Sequence, residues 1–522
     1  MKINSVEFSF KKLTEKMGKS SKVAFVTAFV VALISHMSIL LSDVPNHDGL
    51  ASIYFDQNMI TSGRWFLEIS AGISSFYSLP WLIGILSIFY LSLTAAVIVN
   101  IFDINNSLFA ALCAAVLVTF PTLAGNFAYV FTMDGYMLGL LLCVLSVYMV
   151  KPSKNPGKFS WVIGAVLLGF GMGTYQAYLS VAILLCFFLA VNVLLEENKA
   201  LDKAKNILRF VLMGAGGLVV YYVMLRVLLL IQGRELATYQ GINGMTSANK
   251  TGILSTVKLM YADFLNFTLK SKVVVPNAFS AVSFFVILLL AIVLLVIKAY
   301  QRGYFKKVLF YVFTLVLAVL IPCLTNAILL ISSDVTYHVL MRYQWVIFIV
   351  FALSVISKSV SLEEGNLSNI ICWVTLVCTV VLSFTYLVTD NIAYSNLNKK
   401  YEKTYAYCVR LADRIEQTPG YYQGIPIAMV GVVGQDNFPT TDITGDVTGG
   451  LIGVSGDYLL YKGENYADFF KHYLGITINV LPEDYVVEFY DSPLYASMAS
   501  FPDAGSTVVS DGILYIKTEN VR

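Results

Sequence analysis

Charge is scarce in this chain. Of its 522 residues only 13% are Asp, Glu, Lys or Arg, whereas 57% are hydrophobic and the mean hydropathy is +0.72. A soluble domain lacks the polar surface to cover so much apolar side chain, so that class is excluded. Histidine is rarer still, at four residues. Seven cysteines are present, six of them in apolar runs and only Cys408 in polar sequence. They offer neither a disulfide framework nor a CxxC metal signal. The first apolar run, 23–41, lacks a small-residue cleavage site and is too long for a signal peptide, so it reads as a retained helix. The clustered basic surface of a nucleic-acid binder is missing as well.

What the chain has instead is repeated apolar runs of spanning length, the pattern of a polytopic membrane protein. Hydropathy predicts eleven helices over 23–42, 80–102, 107–123, 131–150, 159–175, 177–195, 207–231, 280–298, 308–332, 345–360 and 370–390. Gly173, Tyr175 and Gln176 mark a tight turn between the fifth and sixth. Lysines crowd alternate connections: Lys11 to Lys22, then Lys151, Lys154 and Lys158, then Lys199 to Lys205, then Arg302 to Lys307. The short loops on the other side hold little besides Arg64 and Arg342. The positive-inside rule then puts the N-terminus in the cytoplasm, and eleven spans put the C-terminus outside. The 232–279 loop, with five basic residues, fits that pattern less well.

Two parts emerge from the charge. Residues 1–394 hold 26 Lys+Arg against 17 Asp+Glu, and residues 395–522 hold 9 against 16. The first part reads as a mainly α transmembrane bundle, the second as a small extracytoplasmic α/β domain. In the latter, "PIAMVGVVG" and "ITINVL" read as strands and "YADFFKHYLG" as a helix. A hairpin is expected around Asp511-Gly512. "GVVGQDN" lacks the helix and spacing of a phosphate loop and reads as a turn.

Polar candidates gather in the loops opposite the lysines. The first, 43–79, supplies Asp43, His47, Asp48, Asp56, Arg64 and Glu68; the second supplies Asn126, Tyr129 and Asp134; the last supplies Asp334, His338 and Arg342. Each has a plainer reading. Acids in an outer loop are usually solvated. Asp134, at the head of the fourth span, could cap that helix, although a carboxylate there is costly unless paired or facing water. Arg64 and Arg342 could snorkel to the interface. His47 and His338 show no convincing ligand spacing and read as hydrogen-bonding loop residues, so no metal site is assigned. Leu50, Ile53 and Tyr54 have helical spacing, with Trp65 and Phe66 suited to headgroup level, so the first loop is expected to lie as an interfacial helix.

Taken together, a carboxylate past span one, another at the head of span four and an arginine before span ten suit sugar transfer from a lipid phosphate. An aspartate can take the proton of a weakly nucleophilic hydroxyl. A second carboxylate stabilises an oxocarbenium-like transition state. Arginine offers a fork of donors to the departing phosphate.

The plan of an aspartate in a long first outer loop of a polytopic protein resembles the GT-C glycosyltransferases. "HDG" followed by "TSGRWF", "FTMDGYMLGLLL" at the fourth span and the closing "FPDAGSTVVSDGILYIK" resemble the bacterial glucosyltransferase II family. That resemblance implies an undecaprenyl-phosphate-linked hexose donor, with glucose foremost, and a surface polysaccharide or its lipid-linked precursor as acceptor. It also implies inversion at the anomeric carbon, at the outer face of a bacterial cytoplasmic membrane, with no metal required. It makes Asp48 the base, with Asp43 as the competing choice, and Asp134 the second carboxylate. Arg64 and Arg342 become phosphate contacts, while His47, Asp56, Tyr129 and His338 join the substrate site. Where the family often carries adjacent acidic residues, this chain has His47-Asp48. The main alternative is a transporter or flippase of lipid-linked glycans, which favours repeats and mid-membrane charge. No repeat is visible, and no nucleic-acid partner is expected.

Overall fold

A computed structural model describes residues 17–74, 76–154, 156–196, 199–237, 252–331, 335–360, 365–431 and 462–518, together with 451, 454, 459 and 460. Asp334 and most of "GVVGQDN" lie outside the described residues.

Helices longer than ten residues are numbered α1–α12. They are α1 Lys19–Leu41, α2 Pro80–Ile101, α3 Ser107–Thr119, α4 Met133–Met149, α5 Ser160–Thr174 and α6 Leu179–Leu195. The remainder are α7 Ala200–Gln232, α8 Ile253–Lys270, α9 Ala278–Gln301, α10 Val308–Thr325, α11 Val346–Val360 and α12 Asn366–Glu416. Each of the eleven expected helices is therefore present. Among the described residues nine are long and apolar enough to cross a membrane. The two that fall short are α3 and α5, at 13 and 15 residues.

Local chemistry explains both breaks. Extended Phe120 ends α3, and after Pro121 a short helix resumes over Thr122–Phe127, every residue of it buried. Irregular backbone at membrane depth is tolerated where protein covers it. The chain leaves α5 at Tyr175, whose φ of −155° is extended, and turns through Gln176–Tyr178 into α6. Helix starts are equally local. Pro80 opens α2, Asn106 accepts from Leu108 N at the head of α3, and Asn277 and Ser280 form a reciprocal box at the head of α9.

Helix α8 lies within the 232–279 loop, where hydropathy gave no span. Helix α12 has 51 residues, a length of about 75 Å at 1.5 Å per residue. It carries the last apolar run and the charged "NLNKKYEKTYAYCVRLADRIEQ" as one rod, passing through position 394 without a break.

Beyond α12, a four-stranded sheet is ordered β2-β1-β4-β3, from β1 Pro426–Val430, β2 Asn479–Val480, β3 Thr507–Ser510 and β4 Ile513–Lys517. Strand β1 pairs parallel to β2 and β4, whereas β3 and β4 form the expected hairpin. Asp511 and Gly512 both take left-handed φ, 51° and 75°, which matches the twist a two-residue hairpin turn requires.

The first outer loop is not an interfacial helix. Leu50–Ser52 makes a single tight turn, and an antiparallel bridge joins Tyr54 to Tyr77. Leu50 explains the difference, because it is buried in a hydrophobic core with Tyr407, Cys408 and Leu411 of α12 and Phe469 and Phe470 beyond β1. Its apolar side chain faces the C-terminal region and not lipid. Truncating Leu50→Ala should cost about 2–5 kcal/mol. In detergent this should appear as a lower thermal midpoint and faster proteolysis of the C-terminal region, and an unchanged midpoint would show that Leu50 does not anchor it.

Candidate active site

Residues 43–50 form a compact turn directly after α1. Asn46 is buried, and its Oδ1 accepts from Gly49 N at 2.8 Å, closing an Asx-type turn around His47 and Asp48. With Leu50 anchored, the turn presents Asp48 outward and folds His47 inward. Their side chains are 57% and 24% exposed, with His47 Nε2 3.4 Å from Asp48 Oδ2.

Three other segments converge on this pair. Tyr129 meets the His47 ring edge-on at 6.2 Å. Lys400 on α12, itself buried, and His338 both act electrostatically on His47. Asn126 Nδ2 donates to Leu340 O at 3.3 Å, which pins the second outer loop to the last one. Asp43 stands a few residues before, lining a cavity of about 20 Å³ with Asn46, Phe131 and Tyr473. Burial pushes the Asp43 carboxyl up, and its charge in turn raises the Tyr473 phenol, itself already raised by burial. Asp56 is exposed in a turn of its own, where its Oδ1 accepts from Asn58 N at 3.0 Å.

A second group forms around Arg64. Gly63 takes φ 76°, and a Cβ there would strike the Gln176 amide and the Tyr221 hydroxyl, at 2.5 and 2.6 Å. Gln176 Nε2 donates to Ser62 O, and Tyr221 OH donates to Gly63 O, so the loop is fastened to the turn before α6 and to the C-terminal half of α7. Trp65 packs against Gly173, where a Cβ would come within 2.5 Å of the indole. Arg64 is thereby aimed at α4: Nη1 donates to Tyr136 OH at 3.0 Å, and the guanidinium lies 5.3 Å from the Tyr175 ring centroid. Two positions before Tyr136, in the first turn of α4, is Asp134, 1% exposed. It does not cap the helix, since Thr132 holds that position. Asp134 Oδ1 accepts from Gly135 N at 2.8 Å, and Oδ2 has no hydrogen-bond partner among the described residues.

Arg342 belongs to a third group. Nη1 lies 2.8 Å from the Asp263 carboxylate of α8, and Nη2 donates to Tyr337 O at 2.9 Å. The rings of Tyr337 and Phe267 flank the guanidinium, with centroids at 4.1 and 4.6 Å. Burial raises the Asp263 carboxyl, and the Arg342 charge opposes that rise. His338 stands between the first and third groups, acted on by both Arg342 and His47.

Lys400, Asp263, Tyr136 and Tyr175 are not among the sequence candidates, and neither is a buried cluster below the site. There Ser35 Oγ donates to Asp390 Oδ2 at 2.8 Å. His36 Nε2 faces Val118 O at 2.9 Å, and Nδ1 faces Tyr394 OH at 2.7 Å. A carbonyl only accepts, so in the neutral ring Nε2 carries the proton and Tyr394 donates. The cluster ties α1 to α3 and α12. Its signal was available: a histidine inside the first apolar run and an aspartate at the end of the last are ionisable groups at membrane depth.

Burial lowers the proton affinity of both loop imidazoles. For His47 the Asp48 charge opposes this and Lys400 adds to it, whereas for His338 both Arg342 and His47 add. Below pH 6.5 the unfolded chain binds protons that folded His47 and His338 resist, so stability is present above that pH and lost as pH falls through it. The thermal midpoint in detergent should therefore drop between pH 7.5 and 5.5, and drop less in His47→Gln. An identical drop in the variant would remove His47 from the account.

No curated protein and no solved structure matches the chain. Residues 37–349, more than half of it, match the family described as glucosyl transferase GtrII. That stretch runs from the end of α1 to the start of α11 and contains Asp48, Arg64, Asp134, Asp263 and Arg342, whereas Lys400 lies beyond it. The chain is a membrane glycosyltransferase that belongs to the GtrII family.

Proposed function

We propose that the chain transfers a hexose, with glucose the first choice, from undecaprenyl phosphate to a cell-surface polysaccharide or its lipid-linked precursor. The reaction takes place at the outer face of the bacterial cytoplasmic membrane, with the N-terminus inside and residues 395–522 outside. The observation that carries the reading is the turn holding His47 and Asp48, inside the family-matched region, with an open carboxylate beside an imidazole that Tyr129, Lys400 and His338 approach.

Asp48 accepts the proton of the acceptor hydroxyl as that oxygen bonds to the anomeric carbon. The bond from this carbon to the phosphate oxygen breaks, and the lipid phosphate leaves with the electron pair. Attack opposite the leaving group inverts the anomeric centre. Asp134 supplies the second negative charge for the oxocarbenium-like transition state. Phosphate needs a fixed cation. Arg64, Arg342 and Lys400 are the candidate cations, and Arg342, whose charge Asp263 offsets and which donates to Tyr337 O, also holds the His338 loop in place. Asp43 remains the competing base, and Asp56 contributes at the rim.

Membranes carrying the chain should move radiolabelled hexose from polyprenyl phosphate to polysaccharide, and the cell-surface glycan should lose that sugar when the chain is deleted. A glycan of unchanged sugar composition that disappears from the surface would favour the flippase reading instead.

A further inference from the structure

A second cavity lies far from this site, toward the lysine-rich ends of the helices. It measures about 990 Å³ and is walled by α6, α7, α9, α10 and α11. Its wall is apolar throughout its depth, ending at a stack of Phe188 on Phe351 (4.2 Å) with Phe348 edge-on at 5.3 Å. Charge occurs only at the mouth, as Lys203 and Lys307 beside Tyr304, and among the described residues no carboxylate lines it. Lys203 Nζ gives one donor to Leu194 O at 2.9 Å, and Lys307 Nζ lies 5.1 Å from the Tyr304 ring centroid.

Helix α10 is the wall with the fewest protein neighbours. Only 11% of its apolar stretch is buried inside the protein, against 78% for the span that contains α11. It lines the cavity from Leu309 to Ile321, a rise of about 18 Å. One leaflet of the hydrocarbon core is about 15 Å deep, half of roughly 30 Å. The cavity thus has the depth of a single leaflet, an apolar interior and two cations where a headgroup phosphate would sit.

We propose that this groove is a binding site for an anionic phospholipid of the lysine-rich leaflet, with its acyl chain packed between α10 and the bundle and its phosphate at Lys203 and Lys307. Basic sites between helices on the cytoplasmic side bind anionic headgroups by this chemistry. The lipid supplies the apolar partner that α10 lacks. The site lies at the opposite end of the helices from Asp48, so its failure leaves the glycosyl-transfer reading untouched, and the reverse holds too.

The test uses the full chain purified in mild detergent and re-lipidated with an equimolar mixture of phosphatidylglycerol and phosphatidylcholine, with retained lipid identified by native mass spectrometry. One retained phosphatidylglycerol per chain is expected, preferred by about fivefold for each lysine at the mouth. Lys307→Gln should reduce that preference about fivefold without removing the lipid. Ala318→Trp, which fills the groove from an exposed position of α10, should remove bound lipid of both kinds. Equal retention of the two lipids by the unaltered chain would overturn the proposal. So would full retention in Ala318→Trp, or recovery of polyprenyl phosphate in place of phospholipid from native membranes.

Discussion

Replacing Asp48 by Asn is expected to slow hexose transfer by about 100- to 10,000-fold while leaving the amount of protein in the membrane unchanged. The two outcomes separate because Asp48 contributes little to the fold. Its side chain is more than half exposed, and His47 Nε2, 3.4 Å away, pairs with it as an ion only when the imidazole is protonated. Such pairs contribute at most about 1 kcal/mol. The amide keeps the size and shape of the carboxylate but cannot accept a proton from the acceptor hydroxyl. Asp43→Asn is the natural control. If Asp43 is the base, the effects of the two variants exchange, and an Asp48→Asn protein with full activity would remove Asp48 from catalysis. Rates should be read with labelled donor in isolated membranes, and abundance by quantitative immunoblot.

Removing Arg342 should have the largest effect on stability. Arg342→Ala leaves Asp263 without its cation, in a pair whose side chains are only 10% and 18% exposed. Breaking one side of a buried pair costs about 3–5 kcal/mol. Deleting both partners, in Arg342→Ala with Asp263→Ala, removes the orphaned charge and should recover most of that loss. Transfer should recover with it where Arg342 serves only to hold the His338 loop, through Asp263 and the Tyr337 carbonyl. A double variant that is stable yet inactive would put Arg342 in direct contact with the phosphate. Thermal unfolding and transfer assays on the same preparations decide between the two.

Arg64 and Arg342 looked alike in the sequence, as lone cations in lysine-poor loops, and the fold gives them different surroundings. Arg64 meets two tyrosines, from α4 and the turn before α6, whereas Arg342 meets a carboxylate from a helix that hydropathy did not detect. Helix α8 was missed because it is amphipathic: its hydrophobic face is too narrow to register as a span and lay inside a long loop. Lys400 was missed for the opposite reason. Its neighbours in "NLNKKYEKTYAYCVR" have the charge pattern of a solvated helix, and only the path of α12 carries it back to His47.

Local features of the fold are legible in the order of residues. Hydropathy located eleven helices, Gly173, Tyr175 and Gln176 marked the turn between the fifth and sixth, Asp511-Gly512 marked the hairpin, and the family motifs pointed to the glucosyltransferase II family. These follow from interactions between near neighbours, or from transfer of a whole segment into lipid, and both can be read from composition and order. Long-range packing alone brings Leu50 into the C-terminal core, Asp263 to Arg342, and Lys400 near enough to act on the charge of His47. Which side chains meet depends on how each helix is rotated and tilted against its neighbours. Packing sets those angles, and an apolar run of a given length leaves them open.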